Sequence, residues 1–549
     1  MLRRMRSVSD LTHPVPRLQH GKTTKYPILL AESRSPLWTA ESSVESRLQF
    51  GKVQNLRKAC ESLHTTEVPA GRVFSFWKQV GRATKTSGYA KGRELRQGCL
   101  IPTTGGGLCQ ISNALYDLAL RCECEIVERH GHTAVLPGSP AELGRDATVF
   151  WNYVDLRFRP QQPLLMTAVL SRDELIVSFW GQQGHVSVGA VSAEPRKSAT
   201  VNTCTDCASV QCFRHARPDS SKHSGRAAFL IEECWPEFAA FAGKEKSAED
   251  ELFLPFRSRV AQVVRYRWDP TGYARVISAD FPTLMSSLKA RFAPDGKPII
   301  AHQISQSESL ARYYGERLPV DASYVHVAQT LLPFLWRSGH LGGRKFSVFM
   351  TRLPLEILHK KLDDLVIEYP ERKTFQEFRA PEWMVEAEAE ALEQADRIIT
   401  PHALLARLFP SRTTRLEWKL PAVRSGRRGE CVVFPGPSLA RKGAFEVRDS
   451  LRQLGYPLLV LNTRAAESKH FWEGVPMSEV SSDWLQHANV VIQPAFIENN
   501  PRPLLRALAS GIPVIATPEC GIEAHPLLTL VPTGNRQALA DALQATISG

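Results

Sequence analysis

From about residue 226 to residue 549, short apolar runs alternate with longer amphipathic stretches, and this alternation limits the possible folds more than any other feature. Strands separated by helix-length connections cannot pair as hairpins, so the pattern predicts βαβ units and parallel sheets. A polar, basic break, FPSRTTRLEWKLPAVRSGRRGE at 409–430, divides the region. Two Rossmann-like α/β domains are predicted, at 226–410 and 431–549, with 411–430 as linker. The segment before them has another texture: TVFWNYVDLRFRP, LLMTAVLS and ELIVSFWG read as successive strands after helical patterns, which predicts an α+β domain at 45–185. The whole is a multidomain chain, with a basic arm at 1–44 and a Ser/Pro/Lys-rich linker at 186–225. With 43% hydrophobic and 23% charged residues, disordered, collagenous and coiled-coil classes are excluded.

Charge narrows the partners. The net +12 is concentrated at the front, where residues 1–100 hold 18 Lys/Arg against 7 Asp/Glu, a net +11. A basic face suits nucleic acid, an anionic membrane or polymer, or an acidic substrate. The opening MLRRMRSVSDLTHPVP lacks the apolar run of a signal peptide, and no stretch approaches the roughly 18 apolar residues of a spanning helix. The expected location is therefore cytoplasmic, with peripheral contact at the inner membrane face left open.

Three constellations carry chemistry. In TTGGGLCQISNALYDLALRC, glycines lead into Cys109 and then into a pattern with Ile111, Leu115, Leu118 and Ala119 on one helical face. A thiol at a helix start is favoured as thiolate. The strand-like EIVERHGHT places His130 and His132 on one face, and GRDATVFWN supplies Asp146 at a strand start. Helix cysteine, histidine and acid is the order of a thiol triad, Cys109, His132 and Asp146. An inert core cysteine with a structural histidine is the alternative. The blocks GRVFSFWKQVGRATKTSGY, GGGLCQISNALYDLAL, ERHGHT and GRDATVFWNYVDLRF closely resemble the VanW family, which implies a cell-envelope context but no reaction. The order of the three residues also looks like transglutaminase and papain-like folds, a fold-level analogy.

The second constellation, CTDCASVQCFRH, sets Cys204, Cys207, Cys212 and His215 at C-x2-C-x4-C-x2-H spacing. Three thiolates and an imidazole complete a tetrahedral shell for structural zinc; an iron–sulfur cluster or a metal-free cluster are the rivals. The spacing resembles a zinc knuckle but departs from its x4 interval before the histidine, and no nucleic acid partner is expected.

The third lies in the last domain. CVVFPGPSLARKGAF reads as strand, Gly/Pro loop around Gly436, and a helix whose start carries Arg441 and Lys442, a geometry suited to a diphosphate. NVVIQPAFIENNPRPLLRALASGIPVIATPECGI then reads as strand, acidic loop with Glu498, helix, Gly turn and strand. In a doubly wound sheet both loops lie at carboxyl strand ends, where ligands bind. This block resembles retaining glycosyltransferases of the GT-B fold, group 1 (family 4), and EAEALEQADRIITPHALLARLFP resembles the end of that family's N-terminal domain. The resemblance implies transfer of a sugar from a nucleotide-sugar to a cell-envelope glycan, lipid or peptide, without a required divalent metal. It places Lys442 on the donor phosphates and Glu498 on the donor sugar or its phosphate loop. Two departures stand out: Pro437 follows Gly436, and Arg506 replaces the second acid of a Glu-x7-Glu pattern that binds ribose. Arg506 cannot accept from hydroxyls, though it can face a phosphate. Alternatives are a Cys109-dependent thiol hydrolase or transpeptidase-like enzyme and a non-catalytic envelope scaffold. In the first Rossmann-like half, His326, His302 and Arg352 sit in or beside the strand-like runs SYVHVAQ, IIAHQIS and SVFMTRLP and are cleft candidates.

Overall fold

The computed structural model describes residues 15–38, 43–96, 99–132, 140–183, 225–257, 266–291, 299–377, 379–422, 429–479 and 483–548. They form two compact units, one containing residues up to Ala227 with Gly315–Val325 and Leu335–Lys345, the other the remainder.

The first unit is α+β and antiparallel. Strands β1 (Ile28–Pro36), β2 (Thr66–Val68), β8 (Leu164–Leu170) and β9 (Glu174–Gly181) form a sheet in the order β1-β9-β8-β2. A three-stranded sheet is ordered β3-β7-β6, from Phe74–Ser75, Arg157–Arg159 and Glu125–Glu128, and β4 (Lys91–Arg96) pairs with β5 (Cys99–Thr104) as a hairpin. Helix α1 (Ser43–Leu63) buries Val53, Leu56, Ala59 and Leu63, and α2 (Cys109–Arg121) buries Ile111, Leu115, Leu118 and Ala119, at helical spacing. They share one core with Leu164, Met166 and Ala168 and with Leu175, Val177 and Phe179, alternate residues of two strands.

The run 148–160 is shorter as strand than its apolar content predicts. It folds back at Phe150–Val154, with Asn152 at φ +64, a left-handed position that asparagine tolerates, and only Arg157–Arg159 is ladder.

Two parallel sheets follow. Strands β10 (Arg226–Leu230), β11 (Glu251–Leu254), β12 (Arg275–Ser278), β13 (Ala322–Ala328), β14 (Lys345–Phe349), β15 (Arg397–Thr400) and β16 (Thr413–Arg415) are ordered β12-β11-β10-β13-β14-β15-β16. Strand β16, inside the stretch expected as linker 411–430, pairs in parallel with β15 at the sheet edge. The run IIAHQIS, expected as strand-like, instead opens helix α3 (Ile299–Gly315), whose Leu310, Ala311 and Tyr314 are buried on one helical face.

The last sheet takes β17 (Cys431–Ser438), β18 (Leu458–Ala466), β19 (Met477–Glu479), β20 (Ala488–Gln493), β21 (Val514–Ala516) and β22 (Leu528–Leu530) in the order β19-β18-β17-β20-β21-β22. Every pair is parallel. This is the Rossmann strand order, which reverses direction between β17 and β20. Consecutive apolar residues face opposite sides: Val432, Val490 and Ile515 pack with helices α4 (Ala444–Leu454) and α6 (Arg536–Ser548). Val433, Val491 and Val514 pack with α5 (Arg502–Ala509). Both faces being covered explains why the strands read as unbroken apolar runs. Each such side chain contributes about 1.5–3 kcal/mol by burial.

In the first unit, the glycine turn before Cys109 hangs on one side chain. Asn55 of α1 donates to Gly106 O (2.9 Å) and Ala90 O (3.1 Å) and accepts from Ala90 N (2.8 Å). A Cβ on Gly106 would stand 2.6 Å from the Gly92 backbone, so the turn has no room for a side chain. Asn55→Ala is expected to destabilise the protein by about 2–3 kcal/mol, since buried backbone groups lose their partner. Denaturant unfolding of the variant measures this; a loss below about 0.5 kcal/mol contradicts the assignment.

Candidate functional site

At the reversal point of the last sheet, the carboxyl ends of β17 and β20 are adjacent. The chain leaves β17 through Pro437 and Ser438 and makes a 3-10 turn, Ala440–Lys442; helix α4 begins only after Gly443. Arg441 and Lys442 thus precede the helix rather than start it, and Gly436 lies inside the irregular end of β17, not in a separate loop. Gly443 has φ +80, and a Cβ there would meet Pro494 O at 2.1 Å, so the turn abuts the end of β20. The Arg441 carbonyl accepts from Phe496 N (2.9 Å) and Ile497 N (3.1 Å), tying the basic turn to the acidic loop.

Between them stands an ion pair. Lys442 Nζ donates to Glu498 Oε2 at 2.7 Å, with Lys442 8% and Glu498 5% exposed. Asn499 N and Asn500 N donate to Glu498 Oε1 at 2.9 and 2.8 Å, and Gln493 Nε2 donates to Oε2. Burial opposes charge on Glu498, but the Lys442 ammonium and the Asn500 N–H hold its carboxyl below the ordinary value. Burial likewise lowers Lys442, with Glu498 pulling the other way. A Cβ on Gly436 would lie 3.3 Å from Lys442 Cβ, so Gly436 shares this neighbourhood. Arg506 does not join it: the side chain is exposed, its guanidinium 5.7 Å from the Trp484 ring centroid.

Strand ends of the preceding sheet reach the same loop. His402, two residues beyond β15, lies 3.1 Å through Nε2 from Glu498 O. Gly521 O accepts from Ala403 N (3.0 Å) and Trp418 Nε1 (2.9 Å). Gln493 and His402 were missed in sequence; a polar residue closing the apolar run VVIQ was the available signal for the first.

Of the cleft candidates in the first Rossmann-like half, His326 is structural. His326 is buried in the core, stacked on Phe229 with centroids 4.3 Å apart and bonded to Ser347 Oγ at 2.7 Å, and burial lowers its pKa to about 3. Arg352 pairs with Glu388 at 2.6 Å. His302 sits on helix α3 rather than on a strand.

The structure brings Cys109, His132 and Asp146 together. His132 Nδ1 and N lie 2.7 and 2.6 Å from Asp146 Oδ2, and the ring hydrogen-bonds the Cys109 sulfur. Arg129 donates to Asp146 Oδ1 and O (both 2.7 Å) and stacks 5.0 Å from the Tyr116 ring centroid. Two local expectations fail. Strand β6 ends at Glu128, so His130 and His132 do not share a face: His130 is 49% exposed beside Glu128, whereas the His132 side chain is 18% exposed. Asp146 occupies an extended segment outside any strand, held by α2 itself: Asn113 Oδ1 accepts from Ala147 N (2.8 Å) and Ser112 Oγ donates to Ala147 O (2.5 Å).

Burial works against charge on the Cys109 sulfur, yet His132, the Val149 N–H and the Thr148 hydroxyl bring the thiol below its ordinary value. Burial also disfavours imidazolium, but Asp146 and Cys109 raise His132 to about 9. Against the same burial, His132 and Arg129 hold Asp146 at about 2. Cys204, Cys207, Cys212 and His215 lie outside the described residues, and among the described residues no His/Cys/Asp/Glu group is arranged to hold a metal ion. Nor does any described helix have the length and apolarity to cross a membrane.

Comparison with known proteins gives each part a relative. Residues 51–180 form a VanW domain, matching the family described as VanW like protein, and residues 452–548 form a domain of the family Glycosyl transferases group 1. The vancomycin B-type resistance protein VanW of Enterococcus faecalis is 34% identical over 136 residues, 24% of this chain and 50% of that protein. YoaR of Bacillus subtilis is 34% identical over 128 residues, 23% of this chain and 42% of that protein. The chain spans about half the length of these curated relatives. Among solved structures, sucrose-phosphate synthase of Thermosynechococcus elongatus is 14% identical with a TM-score of 0.39, covering 59% of this chain and 90% of that one. Anabaena HepE in complex with UDP and glucose is 12% identical with a TM-score of 0.36, at the same coverage.

Two outcomes are expected. Lys442→Met leaves Glu498 buried without its cation and is expected to lose about 3–5 kcal/mol, while Lys442→Met with Glu498→Leu loses less than Lys442→Met alone. A double-mutant cycle by denaturant unfolding checks this, and additive losses would contradict it. Because the folded value of His132, about 9, exceeds its unfolded value of 6.5, its stabilisation is complete below pH 6.5 and is lost as pH rises through about 9. The melting temperature of Cys109→Ser, in which no thiol proton offsets that of His132, is therefore expected to fall more steeply between pH 7 and about 10 than that of Cys109→Ser with His132→Gln.

Proposed function

We propose that residues 226–549 transfer a sugar from a nucleotide-sugar donor, bound over 431–549, to an acceptor bound over 226–410. The observation that carries this reading is the buried Lys442–Glu498 pair at the reversal point of a Rossmann-ordered sheet, where doubly wound folds bind ligands. The group 1 glycosyltransferase domain at 452–548 supports it. On this reading the GT-B arrangement sets the donor diphosphate against the turn Ala440–Gly443. Lys442 and Arg441 supply cationic partners, and the N–H groups opening α4 add their partial positive charge. The anomeric C–O bond to the diphosphate breaks as a bond to the acceptor oxygen forms, and the acceptor proton leaves with the diphosphate. Stabilising the departing charge is the main task, one that fixed cations near a low-dielectric site perform well. Glu498, held by Asn499 N, Asn500 N and Gln493, orients the donor sugar or its phosphate loop.

The acceptor is a cell-envelope glycan, lipid or peptide. Fusion to a VanW domain, whose relative is named for vancomycin resistance, supports that context. The net +11 of residues 1–100 suits an anionic membrane or polymer surface.

Calorimetric titration with UDP-, GDP- and ADP-sugars tests the donor half. One donor is expected to bind with a Kd below about 1 mM. Lys442→Met is expected to weaken it about tenfold or more, with the fold checked by circular dichroism. No binding of any donor at about millimolar concentration sinks the reading.

A further inference from the structure

We infer that Cys109 is a catalytic nucleophile for acyl transfer, with His132 as its acid–base partner and Asp146 as the residue that orients His132, acting on a substrate with an amide or ester carbonyl. The inference is independent of the donor site and stands if that reading fails.

Geometry carries it. Cys109 is the first residue of the 13-residue helix α2 and is half-buried. His132 hydrogen-bonds the sulfur and, through Nδ1, Asp146 at 2.7 Å, which leaves Nε2 to serve the thiol. Asp146 is fully buried and takes Arg129 on its other oxygen, so it acts as an anchored orienter. A nucleophile, a base within hydrogen-bond reach and a third group fixing the base form the arrangement that activates a thiol.

The supporting bonds are specific to this alignment. Ser112 and Asn113, the fourth and fifth residues of the nucleophile's own helix, clamp both backbone groups of Ala147. That clamp fixes the distance from Cys109 to Asp146 on one side and to Val149, whose N–H reaches the sulfur, on the other. Thr148 Oγ1 stands 3.7 Å from the sulfur, and Thr148 N donates to His130 O at 2.7 Å, joining the acid segment to the histidine segment.

The other described thiols supply an internal contrast. Burial pushes Cys122 up to about 11 and Cys124 and Cys520 to about 12, and it also raises Cys60, Cys234 and Cys431. Of the seven cysteines whose side chains are described, Cys109 alone moves down. The groups facing it are the His132 imidazolium and, behind that, the Asp146 carboxylate with the Arg129 guanidinium.

The step balances without an external oxidant or reductant. The thiolate attacks the carbonyl carbon and forms a C–S bond while the π pair of the carbonyl moves onto its oxygen. The C–N or C–O bond breaks as His132 gives its proton to the departing amine or alcohol. Water or an amine then attacks the thioester, His132 takes the attacking proton, and the thiolate is released.

The test uses the full chain with iodoacetamide and p-nitrophenyl acetate. At pH 6, Cys109 is expected to be alkylated about tenfold or more faster than the other thiols, site by site in peptide mass spectra. The wild-type rate should stay level from about pH 6 to pH 8 instead of climbing tenfold per unit as for a free thiol. A p-nitrophenolate burst of about one equivalent, with an adduct of about 42 Da on Cys109, is expected from acetylation and is lost in Cys109→Ser. His132→Gln should slow alkylation at pH 6 about tenfold or more while melting within a few degrees of Cys109→Ser. Alkylation of Cys109 that climbs with pH at the pace of the other thiols overturns the inference. So does fast alkylation without acetylation of Cys109. Both decisive readouts come from the wild-type chain, so a variant that fails to fold leaves the test intact.

Discussion

A lysine and a glutamate, both nearly excluded from water, meet where the strand order of the last sheet reverses. Leaving either charge unpartnered there would cost several kcal/mol, so everything around the pair is arranged to prevent it. The turn carrying Lys442 is pressed against the end of β20 at Gly443, where a Cβ would stand 2.1 Å from the Pro494 carbonyl oxygen. The loop carrying Glu498 is hung from the Arg441 carbonyl, and the preceding sheet reaches it through His402. Parallel strands supply the rest: their carboxyl ends gather on one edge, so residues 56 positions apart in sequence are brought within a hydrogen bond.

How much of the fold is legible in the sequence depends on how local each cause is. The two Rossmann-like sheets were legible because strands buried on both faces must be apolar throughout, and Val432–Val433, Val490–Val491 and Val514–Ile515 announce this in pairs. Helix α2 was legible from its spacing, and so was the approach of Cys109, His132 and Asp146, since the order of residue types suggested it. The failures have a common source. His130 was expected beside His132 on a strand that stops at Glu128, and Asp146 was expected on a strand where none forms. Both errors assume a regular ladder: the Asp146 segment is held instead by Ser112 and Asn113 on Ala147, and the His130 segment by a single backbone bond from Thr148 N. Such side-chain clamps depend on tertiary proximity and leave no periodic trace. The run IIAHQIS shows the ambiguity of short apolar stretches: helix and strand are told apart only by the residues beyond it, here further turns that bury Leu310 and Tyr314. Arg506 was grouped with the donor residues by its place in a motif, but its position on α5 points it outward, over Trp484.

Each candidate centre is built on a buried acid and its cation, and their environments differ in the direction that matters for chemistry. In the first unit the site is an acid–base couple whose members shift in opposite senses: His132 is raised to about 9 and Cys109 is brought below its ordinary value. Asp146, with Arg129 on its other oxygen, orients the His132 ring there. In the second unit neither member is a nucleophile of use. Burial lowers Lys442 while Lys442 and backbone N–H groups depress Glu498, so both hold their charges in a site with little water. The first arrangement suits making a covalent bond, the second suits recognising and stabilising charge.

The second arrangement also constrains how an anionic donor would be taken in. A diphosphate competing for Lys442 must draw the ammonium from Glu498 Oε2, and a carboxylate abandoned in a dry site would oppose binding strongly. Glu498 is not abandoned. Asn499 N and Asn500 N stay on Oε1 and Gln493 on Oε2, three donors that need not move when Lys442 turns. Hydrogen bonding of this kind favours the ionised carboxylate and offsets part of the cost when the ammonium is shared with a phosphate. Those three donors stay in place because the loop from Gln493 to Asn500 is tied within the protein, to the Arg441 carbonyl and to His402.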